Sequence, residues 1–285
     1  MSEPEAQLEA VQSGARRVET PCGDGAMVWR VWDHPRADAP VLVLGHGGQG
    51  AWSHWVRNIE ALAPHYTLIV PDLPGHGESA MPAEGTHDAI SAALLAGLRH
   101  LLPPGLQATF AGFSFGGAVF SHFALRHPEL VRRVIIIGTG GLDTPHGHID
   151  IGRVGGLQGE ERRAAITRNL LGLMLHHRET VDDMAMHLLV ANGRAARLMV
   201  PDLVIPDRVV QILPDIRVPV DAIWGEFDRP HPDPALQESV LRRYQPHCDF
   251  RTIAGAGHWV MYERPEAFNA ALLDMLATPL RELAL

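Results

Sequence analysis

Near its middle the chain reads Gly112-Phe113-Ser114-Phe115-Gly116-Gly117, directly after the largely apolar run 106–111. This Gly-x-Ser-x-Gly pattern predicts a sharp turn from a strand into a helix, with Ser114 at the apex of the turn. Such a turn crowds the neighbouring backbone, so glycines are expected where a Cβ atom would have no room. The pattern marks Ser114 as a candidate nucleophile, but five residues often match by chance, so the assignment depends on partners elsewhere in the chain.

Short aliphatic runs alternate with helical patterns along most of the chain. This alternation predicts an α/β fold with a doubly wound, mostly parallel sheet. The predicted strands are 27–32, 41–44, 67–70, 108–113, 134–137, 220–224 and 249–253. The predicted helices are 52–62, 89–101, 117–126, 236–244 and 265–276. Near-continuous apolar character is typical of strands that are buried on both faces.

The block 146–214 interrupts this rhythm, because no convincing strand pattern occurs in it. Two amphipathic stretches fill the block instead, at 160–177 and 181–199. A Thr180-x-x-Asp183 capping pattern leads into the second stretch. The block therefore predicts a helical insertion before the strand at 220–224.

The expected domain organisation follows from this interruption. Residues 18–145 and 215–285 form an α/β core domain, 146–214 form a helical lid over the sheet, and 1–17 form a flexible N-terminal segment. Methionines of the lid, such as Met174, would make an adaptable wall for a small apolar substrate. They could equally fill a helical core.

Composition excludes several classes of function. The 285 residues carry 24 basic and 33 acidic side chains, and the net charge of −9 argues against a nucleic acid or an anionic membrane as partner. The acidic N-terminus is unlike a secretory signal, and no apolar run approaches the roughly 20 residues of a membrane helix. Two distant cysteines suit a reducing compartment. We expect a cytoplasmic protein with a small-molecule substrate, and whether it forms a homo-oligomer stays open.

The 17 histidines are scattered, and their tightest groups lack an obvious third ligand nearby. Structural zinc sites need four ligands and catalytic ones three. We therefore expect neither a metal nor another cofactor.

A serine hydroxyl is a weak nucleophile and needs a base that an acid in turn orients. Asp228 lies in the loop after the strand at 220–224 and is the natural acid, with Glu226 as the second choice. His258 follows a small-residue loop after the last strand and is the natural base. The order Ser114, Asp228, His258 is the order expected for the catalytic triad of this strand-turn-helix arrangement.

An oxyanion hole needs backbone N–H groups aimed at the developing negative charge. The strand at 41–44 leads into the glycine-rich loop 45–50, which offers the N–H of Gly48. The second donor should be the N–H of Phe115, directly after the nucleophile. We expect His46 to tie the loop down and not to act as a second base.

These elements, with the run Asp72-Leu73-Pro74-Gly75-His76-Gly77-Glu78-Ser79, resemble the α/β-hydrolase superfamily over about residues 27–276. Haloalkane dehalogenases and epoxide hydrolases of this fold place an aspartate at the apex, where this chain has Ser114. The resemblance therefore implies a cofactor-independent serine hydrolase that works through an acyl-enzyme.

A closer resemblance is to the meta-cleavage-product hydrolases, which cleave C–C bonds in vinylogous 1,5-diketones. It rests on the run 55–59 after the glycine loop and on Trp259 directly after the candidate base. In that family an arginine of the lid binds the substrate carboxylate. The resemblance implies that Arg194 has this role here, with Arg197 as the second candidate. The chain departs from the family at Phe113, where asparagine is usual, and in the glycine loop, which lacks the common proline.

Hydrolysis of a small, largely apolar ester and cleavage of a C–C bond both stay open. Phe113, Met174, Arg194 and Trp259 are the candidate substrate-binding residues. In a plain esterase Arg194 would be a solvated helix residue and Trp259 a packing residue. Two further functions are an acyltransferase, and a small-molecule receptor that keeps the triad but turns over poorly.

Overall fold

Eight strands form one sheet in the computed structural model, which describes residues 2–280. The strands are β1 Arg16–Cys22, β2 Gly25–Trp32, β3 Val41–Gly45, β4 Thr67–Pro71, β5 Ala108–Phe113, β6 Val131–Ile137, β7 Val220–Gly225 and β8 Phe250–Ile253. Their order across the sheet is β1-β2-β4-β3-β5-β6-β7-β8. β2 is antiparallel to both of its neighbours, and the remaining pairs are parallel. The predicted mostly parallel sheet is confirmed, and all seven predicted strands occur in it.

Helices cover both faces of the sheet. They are α1 Glu3–Gln12, α2 Ile59–Leu62, α3 His87–Leu101, α4 Phe115–Arg126, α5 Gly159–Asn169, α6 Asp183–Ala195, α7 Pro234–Tyr244, α8 Val260–Glu263 and α9 Pro265–Ala277. Alternate side chains of one strand point to opposite faces. Val43 and Ile136 accordingly pack into one core with α3 and α4, whereas Leu42 and Ile135 pack into a second core with α9.

The N-terminus corrects the expectation of a flexible segment at 1–17. Ser2 and Glu5 form a capping box, in which the Glu5 carboxylate accepts from the Ser2 N–H at 2.7 Å. Leu8 and Val11, one helical turn apart, pack against the second core, and the Trp32 indole donates to the Val11 carbonyl at 3.2 Å. A Ser-x-x-Glu start followed by apolar residues at this spacing is a helix signal. The sequence predictions did not use this signal, and they missed β1 as well.

The block 146–214 contains α5 and α6 and no strand, as expected for these described residues. Both helices are shorter than predicted. α5 gives way to a wider π-type turn, Leu170–Met174. α6 stops because the N–H groups of Arg197 and Leu198 donate to the Gly75 carbonyl instead of continuing the helix. Whether this block moves as a lid stays a prediction.

None of the helices in residues 2–280 combines the length and apolarity needed to cross a membrane.

Candidate active site

The carboxyl ends of the parallel strands bring the candidate residues to one edge of the sheet. Gly45 at the end of β3 is the register partner of Gly112 in β5, and Gly225 at the end of β7 is the partner of Ile253 in β8. The loops that leave these strands therefore start side by side. Ligand sites of open α/β sheets lie at this edge.

Ser114 has the strained backbone expected at the apex of the turn. Its φ of 49° and ψ of −114° lie outside the right-handed helical and extended regions, and such a conformation costs about 1–3 kcal/mol. A Cβ atom on Gly112 would overlap the Gly116 carbonyl, and one on Gly116 would lie 2.7 Å from the His46 carbonyl oxygen. The Ser114 N–H donates to the Ile137 carbonyl at 2.8 Å, which holds the turn against β6.

The hydroxyl of Ser114 stands at the start of α4 without capping it. Ser114 is half-buried, whereas Phe113 and Phe115 on either side of it are buried. The turn therefore leaves the serine accessible between two buried aromatic residues.

Asp228 and His258 form a buried pair beside this turn. The Nδ1 atom of His258 lies 2.8 Å from Oδ2 of Asp228, and the Phe113 ring centroid lies 4.8 Å from that of His258. Burial by itself raises the pKa of the Asp228 carboxyl, but the charge and hydrogen bonds of His258 and His231 outweigh burial and hold this pKa well below its usual range. Asp228 is therefore a carboxylate, and its bond to Nδ1 leaves Nε2 of His258 for another partner.

Glu226, the second choice for the acid, has a different role. It is exposed, and its Oε2 accepts from the Gly255 N–H at 2.8 Å. This bond braces the loop before His258 but does not reach the histidine ring.

Asp228, His231 and His258 have ligand atoms within 4.8 Å of one another, a spacing that a metal ion could use. In the structure the two carboxylate oxygens instead face one histidine each. Oδ2 faces the ring of His258, and Oδ1 accepts from the backbone N–H of His231 at 2.9 Å.

The glycine-rich loop lies against the serine turn. A Cβ on Gly47 would lie 3.3 Å from the Ser114 Cβ, and one on Gly48 would lie 4.0 Å from the Phe115 Cβ. Neither the Gly48 N–H nor the Phe115 N–H donates to an acceptor within residues 2–280, and the first N–H of a helix has no partner inside the helix. The two predicted oxyanion donors therefore lie close together with their N–H groups free.

His46 fixes this loop, which is the role expected for it. Its Nε2 accepts from the Leu73 N–H at 2.9 Å, so Nδ1 carries the proton and donates to the Gly47 carbonyl at 2.7 Å. Burial lowers the pKa of His46 well below its usual value. The ring is consequently neutral and occupied at both nitrogens.

The sequence predictions missed His54, which is buried between Phe113 and Trp259 at ring distances of 5.7 and 4.8 Å. Its Nδ1 accepts from the Gly47 N–H at 3.4 Å. Burial, with a smaller contribution from neighbouring histidines, lowers the pKa of His54 to about 3. No motif pointed to it, because a lone histidine beside a tryptophan more often packs in a core than takes part in a site.

Three of the predicted substrate-binding residues lie around His258. Phe113 contacts the His258 ring, and the Trp259 N–H donates to the Met174 carbonyl at 2.7 Å. The Trp259 indole donates to the His54 carbonyl at 3.2 Å. Trp259 and Met174 are both buried, so contact of either with a substrate stays a prediction.

The two predicted carboxylate-binding arginines are not brought to this site. Arg194 is exposed and lines a surface groove with the start of α1, because the unpredicted N-terminal helix packs along α6. The guanidinium of Arg197 donates to the carbonyls of Gly77, Ser79 and Ala195. The side chain nearest to a Cβ atom added at Gly48 is that of Val200 and not that of an arginine.

The sequence profile of the alpha/beta hydrolase family matches residues 41–271. The chain belongs to this family. The matched range holds the glycine-rich loop, the serine turn and the Asp228–His258 pair. The predicted α/β-hydrolase fold is thereby confirmed.

The relatives confirm the resemblance to C–C bond hydrolases. A 2-hydroxy-6-oxononadienedioate/2-hydroxy-6-oxononatrienedioate hydrolase of Paraburkholderia phymatum is 30% identical over 260 residues, covering 84% of this chain and 88% of that protein. A 2-hydroxy-6-oxo-6-phenylhexa-2,4-dienoate hydrolase of Burkholderia cepacia is 28% identical, covering 86% and 90%. The prediction that this chain is a hydrolase is thus confirmed.

Solved structures of esterases share the fold. Naproxen esterase of Bacillus subtilis superimposes with a TM-score of 0.75 at 19% identity, covering 97% of this chain and 99% of that one. Carboxylesterase CesB of Bacillus subtilis gives 0.76 at 21% identity, covering 98% and 97%.

Proposed function

We propose that the chain is a cofactor-independent serine hydrolase with Ser114 as nucleophile, His258 as base and Asp228 as the acid that orients the base. One observation carries the proposal: an accessible serine in a strained turn lies at the same sheet edge as a buried Asp228–His258 pair joined at 2.8 Å. A nucleophile, its base and an orienting carboxylate are the parts that this chemistry needs.

In the first half of the reaction Ser114 Oγ attacks the substrate carbonyl carbon while Nε2 of His258 accepts the hydroxyl proton. The carbonyl oxygen gains the negative charge, and the N–H groups of Gly48 and Phe115 stabilise it. The tetrahedral intermediate collapses, the bond to the leaving group breaks, and His258 returns the proton to that group. The product of this half is an acyl-enzyme on Ser114.

In the second half a water molecule replaces the leaving group. His258 takes a proton from the water as it attacks the acyl carbon. The second tetrahedral intermediate collapses, the bond between the acyl carbon and Ser114 Oγ breaks, and His258 returns the proton to Oγ as the acid product leaves. The Asp228 carboxylate stabilises the imidazolium each time it forms. No described hydrogen bond joins Ser114 Oγ to His258, and such catalytic contacts often tighten only once substrate is bound.

A small, largely apolar ester is the substrate class that the geometry supports best. The serine is flanked by Phe113 and Phe115, and Val200 lies beside Gly48. Neither Arg194 nor Arg197 offers a guanidinium to a substrate carboxylate there. Apolar walls with a few placed donors are typical of small-molecule sites.

Cleavage of a C–C bond in a vinylogous diketone is the second candidate, because relatives that match more than four-fifths of this chain are named for such substrates. The acyltransferase and receptor alternatives also remain. A receptor would acylate once and turn over negligibly, and an acyltransferase would need a second acceptor.

Steady-state hydrolysis of p-nitrophenyl butyrate and of a ring-fission dienol tests the function. We expect turnover of the ester, and a loss of about 10⁴-fold or more in kcat for Ser114→Ala. Ser121→Ala is the matched control, since Ser121 is buried in the same helix and bonded to the Gly117 carbonyl at 2.8 Å. Faster cleavage of the dienol would favour C–C bond hydrolysis. A burst without turnover would contradict hydrolysis and favour the receptor.

A further inference from the structure

A second histidine, His231, contacts the Asp228 carboxylate oxygen that does not face His258. The Oδ1 atom of Asp228 accepts from the backbone N–H of His231 at 2.9 Å, and the Nδ1 atom of His231 lies 3.3 Å from the same oxygen. His231 is buried, and its Nδ1 contacts Oδ1 without the alignment of a full hydrogen bond and has no hydrogen-bond partner elsewhere in residues 2–280. A buried N–H needs an acceptor, and Oδ1 is the one within reach.

The surroundings of His231 hold its ring in this place. The Trp224 ring meets it edge-on at 6.1 Å, and a Cβ on Gly140 would lie 3.0 Å from its Nε2. The titratable groups that face the ring are Asp228, His258 at 5.7 Å and His146 at 5.6 Å between ring centroids. Asp228 is the acidic group among them.

We infer that His231 is a positioning residue for the Asp228–His258 pair, and this inference rests on the proposed function. With its proton on Nδ1, His231 donates to Oδ1 of Asp228 and keeps Oδ2 aimed at His258. The same bond draws negative charge away from Oδ2. His231 does not touch the substrate in this arrangement.

This role of His231 predicts the direction of a pH effect. Without the Nδ1 donor, more negative charge stays on Oδ2, and protonated His258 is stabilised more strongly. His258 must be neutral to accept the serine proton, so the acid limb of the pH–rate profile should move to higher pH. A residue that only supported the fold would lower the rate without moving this limb.

The test compares His231→Leu with His231→Asn in the full-length protein. Asparagine places an amide N–H close to where histidine places Nδ1, whereas leucine has no donor. The second-order rate of labelling by a fluorophosphonate is measured from pH 5 to pH 9. We expect His231→Leu to shift the acid limb upward by about 0.5–1 pH unit and His231→Asn to restore the wild-type limb. His146→Leu, which loses a neighbouring ring without contact to Asp228, should not shift it.

An acid limb that is the same in wild type and His231→Leu would overturn the inference, as would equal profiles for the leucine and asparagine variants. Thermal unfolding shows whether each variant folds. If His231→Leu does not, His231→Gln replaces it, because its longer side chain carries the amide away from the Nδ1 position and the same shift is expected. Failure of the proposed function looks different: the wild type would then not be labelled at any pH.

Discussion

At the scale of single residues, the site depends on backbone geometry around Ser114. The serine takes a strained conformation with φ of 49°, and the turn needs glycine two residues before and two residues after it, because a Cβ atom at Gly112 or Gly116 would overlap backbone atoms. A Cβ on Gly116 would lie 2.7–2.8 Å from backbone atoms of Gly45 and His46. Backbone cannot move aside as the end of a side chain can, so the strain is held by packing from two strands.

Gly116→Ala and Gly193→Ala should change stability in opposite directions. Gly116→Ala forces overlap with backbone and is expected to lower the free energy of unfolding by about 1–3 kcal/mol. Gly193 lies in α6 with nothing within 4 Å of an added Cβ, so alanine there should raise that free energy by about 0.5–1 kcal/mol. Urea denaturation measures both. Equal effects in the two variants would contradict the packing argument.

At the scale of elements, one carboxylate joins the loop of the candidate base to the helical insertion. Glu263 at the end of α8 is buried and accepts from the Gly257 N–H at 2.6 Å, directly before His258. It also accepts from the N–H groups of His176 and His177 at 2.7–3.0 Å and from the Thr180 hydroxyl at 3.0 Å. The loop and the turn between α5 and α6 are therefore held by the same group.

Glu263→Gln should weaken both attachments at once. The groups around the Glu263 carboxylate all donate to it, so the N–H group of a glutamine amide would face donors and find no acceptor. We therefore expect a loss of about 1–3 kcal/mol in stability and a lower kcat for the ester. Glu266→Gln, an exposed position at the start of α9, is the matched control. A stable Glu263→Gln variant with unchanged kcat would show that the loop keeps its place without this carboxylate.

Sequence patterns predict some residues of the candidate site and miss others. Each of Ser114, Asp228 and His258 lies in the turn or loop beyond the carboxyl end of a predicted strand. Parallel strands bring the loops at their carboxyl ends to one edge, so these three residues could be predicted. Arg194 could not be placed, because its position depends on where α6 ends and on α1 packing beside it. Those are contacts between distant segments, which spacing along the chain does not encode. His231 was missed for a related reason, since only the folded loop turns it onto Asp228.

At the scale of the whole molecule, several histidines are buried and neutral. Burial is the largest cause in each case, and it lowers the pKa of His54 to about 3, that of His76 to about 4 and that of His122 to about 3. An unfolded chain binds these protons near the ordinary histidine pKa of about 6.5. The unfolded state therefore holds more protons than the native state between about pH 6.5 and pH 4, and these groups lower stability as the pH falls through that window.

His122→Phe should flatten this dependence. Removing one such histidine is expected to reduce the slope of unfolding free energy against pH by up to about 1.4 kcal/mol per pH unit. The slope is measured by urea denaturation between pH 5 and pH 7 and is compared with that of the wild type. His148→Phe, at an exposed position, is the control. An unchanged slope in His122→Phe would mean that His122 takes up its proton in the native state as well.

Mass spectrometry of the fluorophosphonate-treated protein decides whether Ser114 is the nucleophile. We expect one covalent adduct per chain on the peptide that contains Ser114, the same adduct in Ser121→Ala, and none in Ser114→Ala that is still folded. An adduct on another residue, or undiminished labelling of Ser114→Ala, would contradict this expectation.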